Sequence, residues 1–177
     1  MTVALPPRPD WSHLIKSGSR VFVGGNAGVP YALIDDLIKH SKGFSDIELV
    51  HMLALGDTRW AKEEYRQLFK VNTFFIQGDE IRRAVDEGRA DYTPVFLSEM
   101  SSLFSDGTLP LDAALVTVSP PDEFGYCSLG VSVDISMSAV RNATIAIAQI
   151  NPQMPRTAGH SFIHISEFSA CIEADEP

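Results

Sequence analysis

Apolar residues along this chain fall into two alternating patterns. Short runs rich in Val, Ile, Leu and Phe, at residues 20–23, 46–53, 72–76, 113–118 and 144–150, read as buried strands. A further short strand is expected over 90–94. Between these runs apolar positions recur at helical spacing. Over 31–40 they are Leu33, Ile34, Leu37 and Ile38, with Pro30 at the helix start, where its missing N–H costs nothing. Helices are likewise predicted over 11–17, stopped by Gly18, and over 60–70 through Tyr65, Leu68 and Phe69. Three more are expected over 79–87, 96–104 and 132–141, the last with Ser132 as N-cap. Residues 162–172 alternate apolar with polar and predict one long strand. Strands separated by helical stretches imply parallel pairing through crossover helices. The expected architecture is α/β, an open, mainly parallel sheet flanked by helices, with residues 1–177 forming a single domain.

Composition narrows the function more than the fold. In 177 residues, 45% are hydrophobic and 21% charged, ordinary values for a globular domain with a real core. Fourteen basic against 23 acidic side chains give a formal charge of −9, which disfavours nucleic acid and anionic membrane surfaces as partners. Two cysteines, Cys127 and Cys171, make neither a disulfide framework nor a zinc spacing, and a reduced, cytoplasmic setting is the simplest fit. The proline-rich first ten residues lack the apolar stretch of a signal peptide.

Candidate chemistry concentrates in three turns that follow strands, the end of an α/β sheet where ligands usually bind. The first, Gly24-Gly25-Asn26-Ala27-Gly28-Val29-Pro30, admits two readings. Its amides can converge on an anion at the start of the next helix, or its glycines can serve a tight turn needing positive φ. Glycine is missing at Asn26 and Val29 for a dinucleotide fingerprint, and no P-loop Lys-Ser/Thr follows. The second, Ser119-Pro120-Pro121-Asp122-Glu123-Phe124-Gly125 and on to Gly130, ends a strand with two prolines and closes an acidic turn on Gly125. The third, Asn151-Pro152-Gln153-Met154-Pro155-Arg156-Thr157-Ala158-Gly159-His160, is stiffened by two prolines. Its Arg156 can fork onto a substrate carboxylate or pair with a local acid or another domain.

These three segments, in this order and at these places, resemble the N-terminal domain of the acetyl-CoA hydrolase and 4-hydroxybutyrate CoA-transferase family, over residues from about Ser12 to the end. The resemblance implies the CoA-transferase fold, related to the ribose-5-phosphate isomerase architecture, and a chain that is the first half of a two-domain enzyme. It implies CoA transfer from an acyl-CoA to a short carboxylic acid, with acetyl-CoA hydrolysis the related activity. The catalytic glutamate and its glutamyl-CoA intermediate belong, by the same resemblance, to the C-terminal domain, absent here. No catalytic residue is therefore expected in this chain. Glu123, beside a glycine but in a solvated acidic turn, is a weak stand-in. Expected substrate contacts are Gly24, Gly25, Asn26, Gly28, Pro121, Gly125, Asn151, Met154, Arg156 and Thr157. The expected partners are a small acyl-CoA and a carboxylate, the missing domain, and further copies in a homo-oligomer. No tightly bound cofactor and no metal is implied, the CoA thioester being a substrate. The alternative is a scaffold or dimerisation domain without turnover.

The other reactive side chains read as structural. His160 and His164 lie in loop and strand with no third ligand, and His40 and His51 are isolated. Cys127 has no basic neighbour in sequence to make a thiolate. The last residues, Glu173 to Pro177, carry no capping signal and read as a cut inside a longer protein.

Overall fold

A computed structural model describes residues 3–177. Seven strands form one parallel sheet: β1 (Arg20–Val23), β2 (Ile47–His51), β3 (Phe69–Thr73), β4 (Ala90–Tyr92), β5 (Ala113–Val118), β7 (Ile145–Ile150) and β9 (Ala170–Glu173), in the order β4-β3-β2-β1-β5-β7-β9. Two further strands, β6 (Tyr126–Ser128) and β8 (Phe162–His164), make a separate antiparallel ribbon. Alternate strand residues feed two cores. Val21, Val23, Leu49, Val71 and Leu115 pack with α1 (Trp11–Leu14), α2 (Tyr31–Lys39) and α3 (Asp79–Asp86) on one face. Phe22, Val50, Val116 and Ala148 pack with α4 (Leu97–Ser105) and α5 (Ser136–Asn142) on the other. Burial on both faces is why the strands read as continuous apolar runs.

The predicted α/β architecture with its parallel sheet is the one observed. Five elements differ. Residues 60–70 form two 3-10 turns, Arg59–Ala61 and Glu63–Tyr65, split by Lys62 in extended backbone. Phe69 fits helical spacing but opens β3, opposite Ile47, so the strand lies three residues ahead of the expected 72–76. The first helix is only four residues: Asp10 caps it at the Ser12 amide, and Ile15 is already extended. Helix α5 starts at Ser136, four residues late: Ser132 is tied to the first turn through its hydroxyl, and the Asp134 carboxylate accepts the Ile135 and Ser136 amides instead. The expected long strand over 162–172 is two strands in different sheets, separated by the 3-10 turn Ile165–Glu167. His164 and Glu167 form a capping box there, and this turns the chain from the ribbon to the edge of the main sheet.

Candidate active-site cleft

Because every strand of the main sheet runs the same way, all the turns that follow strands lie at one end. Strands β1, β5 and β7 are neighbours, so the three singled-out turns are brought together. Between them lies a cleft of 170 Å³, lined by Ala27 from the first turn, Val131 from the second, and Asn151, Gln153, Met154 and Pro155 from the third, with Glu176 at its rim. A larger depression of 310 Å³ sits at the opposite end of the sheet, around Ser12, Lys16 and Asp112, and contains none of these turns.

The first turn is built by close packing. Gly24, Gly25 and Gly28 are buried, and none has a positive φ. The left-handed residue is Asn26, at φ 54°, a conformation that asparagine tolerates. A Cβ on Gly25 would run into the Leu53 carbonyl oxygen, and one on Gly28 would come within 2.7 Å of the Ser132 Cβ. Ser132 explains itself here: its hydroxyl donates to the Gly25 carbonyl at 2.6 Å. Asn26 Nδ2 donates to Asp134 Oδ2 at 2.8 Å, tying the first turn to the second.

Part of the donor set that an anion cradle would use at this turn is taken up from within. The Gly24, Asn26 and Gly28 amides donate to Leu115, Leu53 and Gly25 carbonyls at 2.8, 2.7 and 3.0 Å. The first turn of α2, where the helix dipole favours negative charge, gives its Ala32 and Leu33 amides to Gln149 Oε1 at 2.9 and 3.3 Å. Gln149 is fully buried in β7, and its Nε2 donates to Glu176 Oε2 at 2.6 Å. A neutral amide thus relays the helix terminus to a carboxylate. What the turn offers the cleft is the exposed Ala27.

The second turn hangs on Asp122. Its Oδ1 accepts the Phe124 and Tyr126 amides at 3.0 and 2.9 Å, and its Oδ2 accepts Arg156 Nη2 at 2.6 Å. These bonds, the Tyr126 amide foremost, hold its carboxyl below the ordinary aspartate value. Gly125 takes φ 87° against the His164 ring, where a side chain has no room. Glu123 is exposed beside it, and Pro121 is half-buried.

Arg156 is committed inside the domain. Besides Asp122 it donates to the Tyr126 carbonyl at 2.8 Å and lies 4.9 Å from the centre of the Phe162 ring. The ion pair with a local acid is thus present within the domain. Thr157 joins it: its hydroxyl donates to the Gly130 carbonyl at 2.9 Å, and its amide to the buried Ser128 Oγ at 3.2 Å. Asn151 grips the backbone of Glu176, giving Nδ2 to its carbonyl at 2.8 Å and accepting its amide at 3.3 Å. Met154 is buried, with its sulfur against Gly130.

Gln149 and Ser128 were missed from the sequence. The available signal was a single amide in the apolar run 145–150, and serines at both 119 and 128 around a turn. Burial pushes the Cys127 thiol up to about 12, so it is no thiolate. Both nitrogens of His164 are occupied, by Ser166 Oγ at 2.7 Å and the Phe124 carbonyl at 3.1 Å. Among the described residues no three His, Cys, Asp or Glu side chains cluster as a metal site, and no helix is long and apolar enough to cross a membrane.

A parallel sheet with helices on both faces and its specified turns gathered at one end defines a CoA-transferase-like α/β domain. Residues 9–177 match the acetyl-CoA hydrolase/transferase N-terminal domain, and the chain belongs to that family. It is 44% identical over 163 residues to the 4-hydroxybutyrate coenzyme A transferase of Clostridium kluyveri, covering 92% of this chain and 38% of the relative. It is 41% identical over 165 residues to the succinyl-CoA:acetate/propanoyl-CoA:succinate CoA transferase of Fasciola hepatica, covering 92% of this chain and 34% of that one. The crystal structure of 4-hydroxybutyrate CoA-transferase from Porphyromonas gingivalis superposes with a TM-score of 0.77 at 32% identity, over 94% of this chain and 38% of that chain. The chain therefore spans little more than a third of the length of these relatives.

Proposed function

We propose that this domain forms one wall of the active site of an acyl-CoA:carboxylate CoA-transferase acting on a small acyl-CoA and a short carboxylic acid. The observation that carries the reading is the convergence of the three family-like turns on one cleft at the carboxyl ends of β1, β5 and β7. In the proposed reaction, a glutamate of a second domain attacks the thioester carbonyl, expelling CoA thiolate and leaving a mixed anhydride. The thiolate then attacks the glutamyl carbonyl, releasing the first acid and forming a glutamyl-CoA thioester. The acceptor carboxylate reverses both steps, so the exchange needs no oxidant, metal or other cofactor.

Within this domain, Ala27, Asn26, Asn151 and Met154 would border the substrate. Gly24, Gly25 and Gly28 allow the close packing beneath it, and Pro121, Gly125, Arg156 and Thr157 hold the second and third turns in register. An acidic, cytoplasmic homo-oligomer is the setting we assign. The test is CoA exchange between acetyl-CoA and a panel of short acids, followed by mass spectrometry. The 177 residues alone are expected to show no exchange, whereas joined to the remaining part of a family transferase they should show it. Exchange by the chain alone that Glu123→Gln abolishes would sink the two-domain assignment, and inactivity of the joined protein would sink the transferase reading.

A further inference from the structure

A second concavity lies beside the first turn and is of opposite character. It measures 230 Å³, sits at the carboxyl ends of β2 and β3, and is lined by Met52, Leu53, Phe75, Val95, Leu97 and Met100. None of the six is charged. Phe75 and Leu97 are more than half exposed at the rim, an apolar surface that a folded chain normally covers. The pocket is physically continuous with the glycine turn. The Leu53 carbonyl accepts the Asn26 amide at 2.7 Å, and the Leu55 amide donates back to the Asn26 carbonyl at 3.3 Å. Ala27 faces the cleft while Leu53, bonded to the residue before it, faces the pocket. One turn therefore separates a polar-edged cleft from an apolar hole.

From this we infer that the pocket seats the hydrocarbon tail of the transferred acyl group or acceptor acid, an unbranched chain of up to about six carbons. The inference rests on the transferase reading for the word acyl, but the binding it predicts does not need turnover. The size agrees: at the ~30 Å³ that a water molecule or a methylene fills, 230 Å³ takes a chain of this length and little more. The walls agree as well. Two methionines supply soft, adaptable contacts that suit chains of varying length, and an acid with a second carboxylate would find no partner for it here. Each methylene buried should tighten binding about fourfold.

The methionines also provide the test. With [methyl-¹³C]methionine in the protein, sodium hexanoate and sodium acetate are titrated separately while the methyl signals are followed. Met137, in α5, is not part of the pocket and serves as the internal reference. The expected result is saturable shifts of Met52 and Met100 with Met137 unmoved, at a hexanoate concentration at least tenfold below that needed for acetate. Leu97→Asp and Phe75→Ser, both at exposed positions that the fold tolerates, should each weaken hexanoate at least fivefold. The absence of saturable shifts, equal affinity for the two acids, or unchanged affinity in both variants would overturn the proposal. Because the readout is binding, failure of CoA exchange and failure of this pocket are separate outcomes.

Discussion

Gly25 shows how a residue can be conspicuous in sequence and yet be needed for a reason that only the fold supplies. Three glycines in five positions after a strand predicted either an anion cradle or positive φ, and none of the three has a positive φ. The need for glycine comes from Leu53 and Ser132, distant in sequence but pressed against Gly25 and Gly28 in space. Gly25→Val should therefore lower stability by about 1–3 kcal/mol or more, since its Cβ meets a backbone carbonyl that cannot move aside. Urea unfolding measures this, and an unchanged midpoint with impaired CoA exchange would return the turn to direct substrate contact. Gln149 is the converse case. As one polar letter in an apolar strand it looked incidental, yet it caps α2 and holds Glu176. Gln149→Leu keeps the volume but leaves the Ala32 and Leu33 amides buried without partners. A loss of about 2–4 kcal/mol is expected, read from the same unfolding curves, and a loss below 1 kcal/mol would mean water replaces the cap.

At the scale of elements, local periodicity identified the main-sheet strands but misplaced what tertiary contacts decide. Residues 60–70 carry a helical spacing, yet Trp60 is drawn into the core against His51 and Phe69 into the sheet, and the intervening chain is left as 3-10 turns. In the antiparallel ribbon, strand β6 was invisible because three residues are too few to show alternation, and β8 was read as the start of one long strand over 162–172. That ribbon is fastened to the third turn by Arg156, through Asp122, Tyr126 and Phe162. The Arg156–Asp122 pair is about one-third exposed on each side, so its contribution to global stability should be small. The local effect is larger. Arg156→Ala should speed amide exchange at Tyr126 and Ser128 about tenfold while the unfolding midpoint moves little. Unchanged exchange at these amides would show that the two Ser119–Ser128 bonds, one backbone and one through the Ser119 hydroxyl, hold the turn without it.

For the whole molecule, the alternation of strand and helix was enough to give a parallel sheet, whereas strand order and the separate ribbon needed coordinates. Acid sensitivity is a property of the same whole, concentrated in one group. Burial pushes the His51 imidazole down to about 4. Above pH 6.5 it is neutral folded or unfolded; below that the unfolded chain takes a proton the fold refuses until about pH 4. Stability should thus fall by about 2 kcal/mol between pH 7 and pH 5 from this residue. His51→Gln should flatten that part of the profile, and an equally steep profile in the variant would assign the loss to other groups. The strand order also sets a clock for synthesis. Strand β1 meets β2 early, but the bond that docks its other side, from the Arg20 amide to Asp112, spans 92 residues. At ~5–20 residues per second, the middle of the sheet waits about 5–20 s on the ribosome with a row of unpaired amides and carbonyls facing outward. Crowded polysomes, where sister chains emerge side by side, are where this domain is most exposed to pairing with the wrong copy of itself.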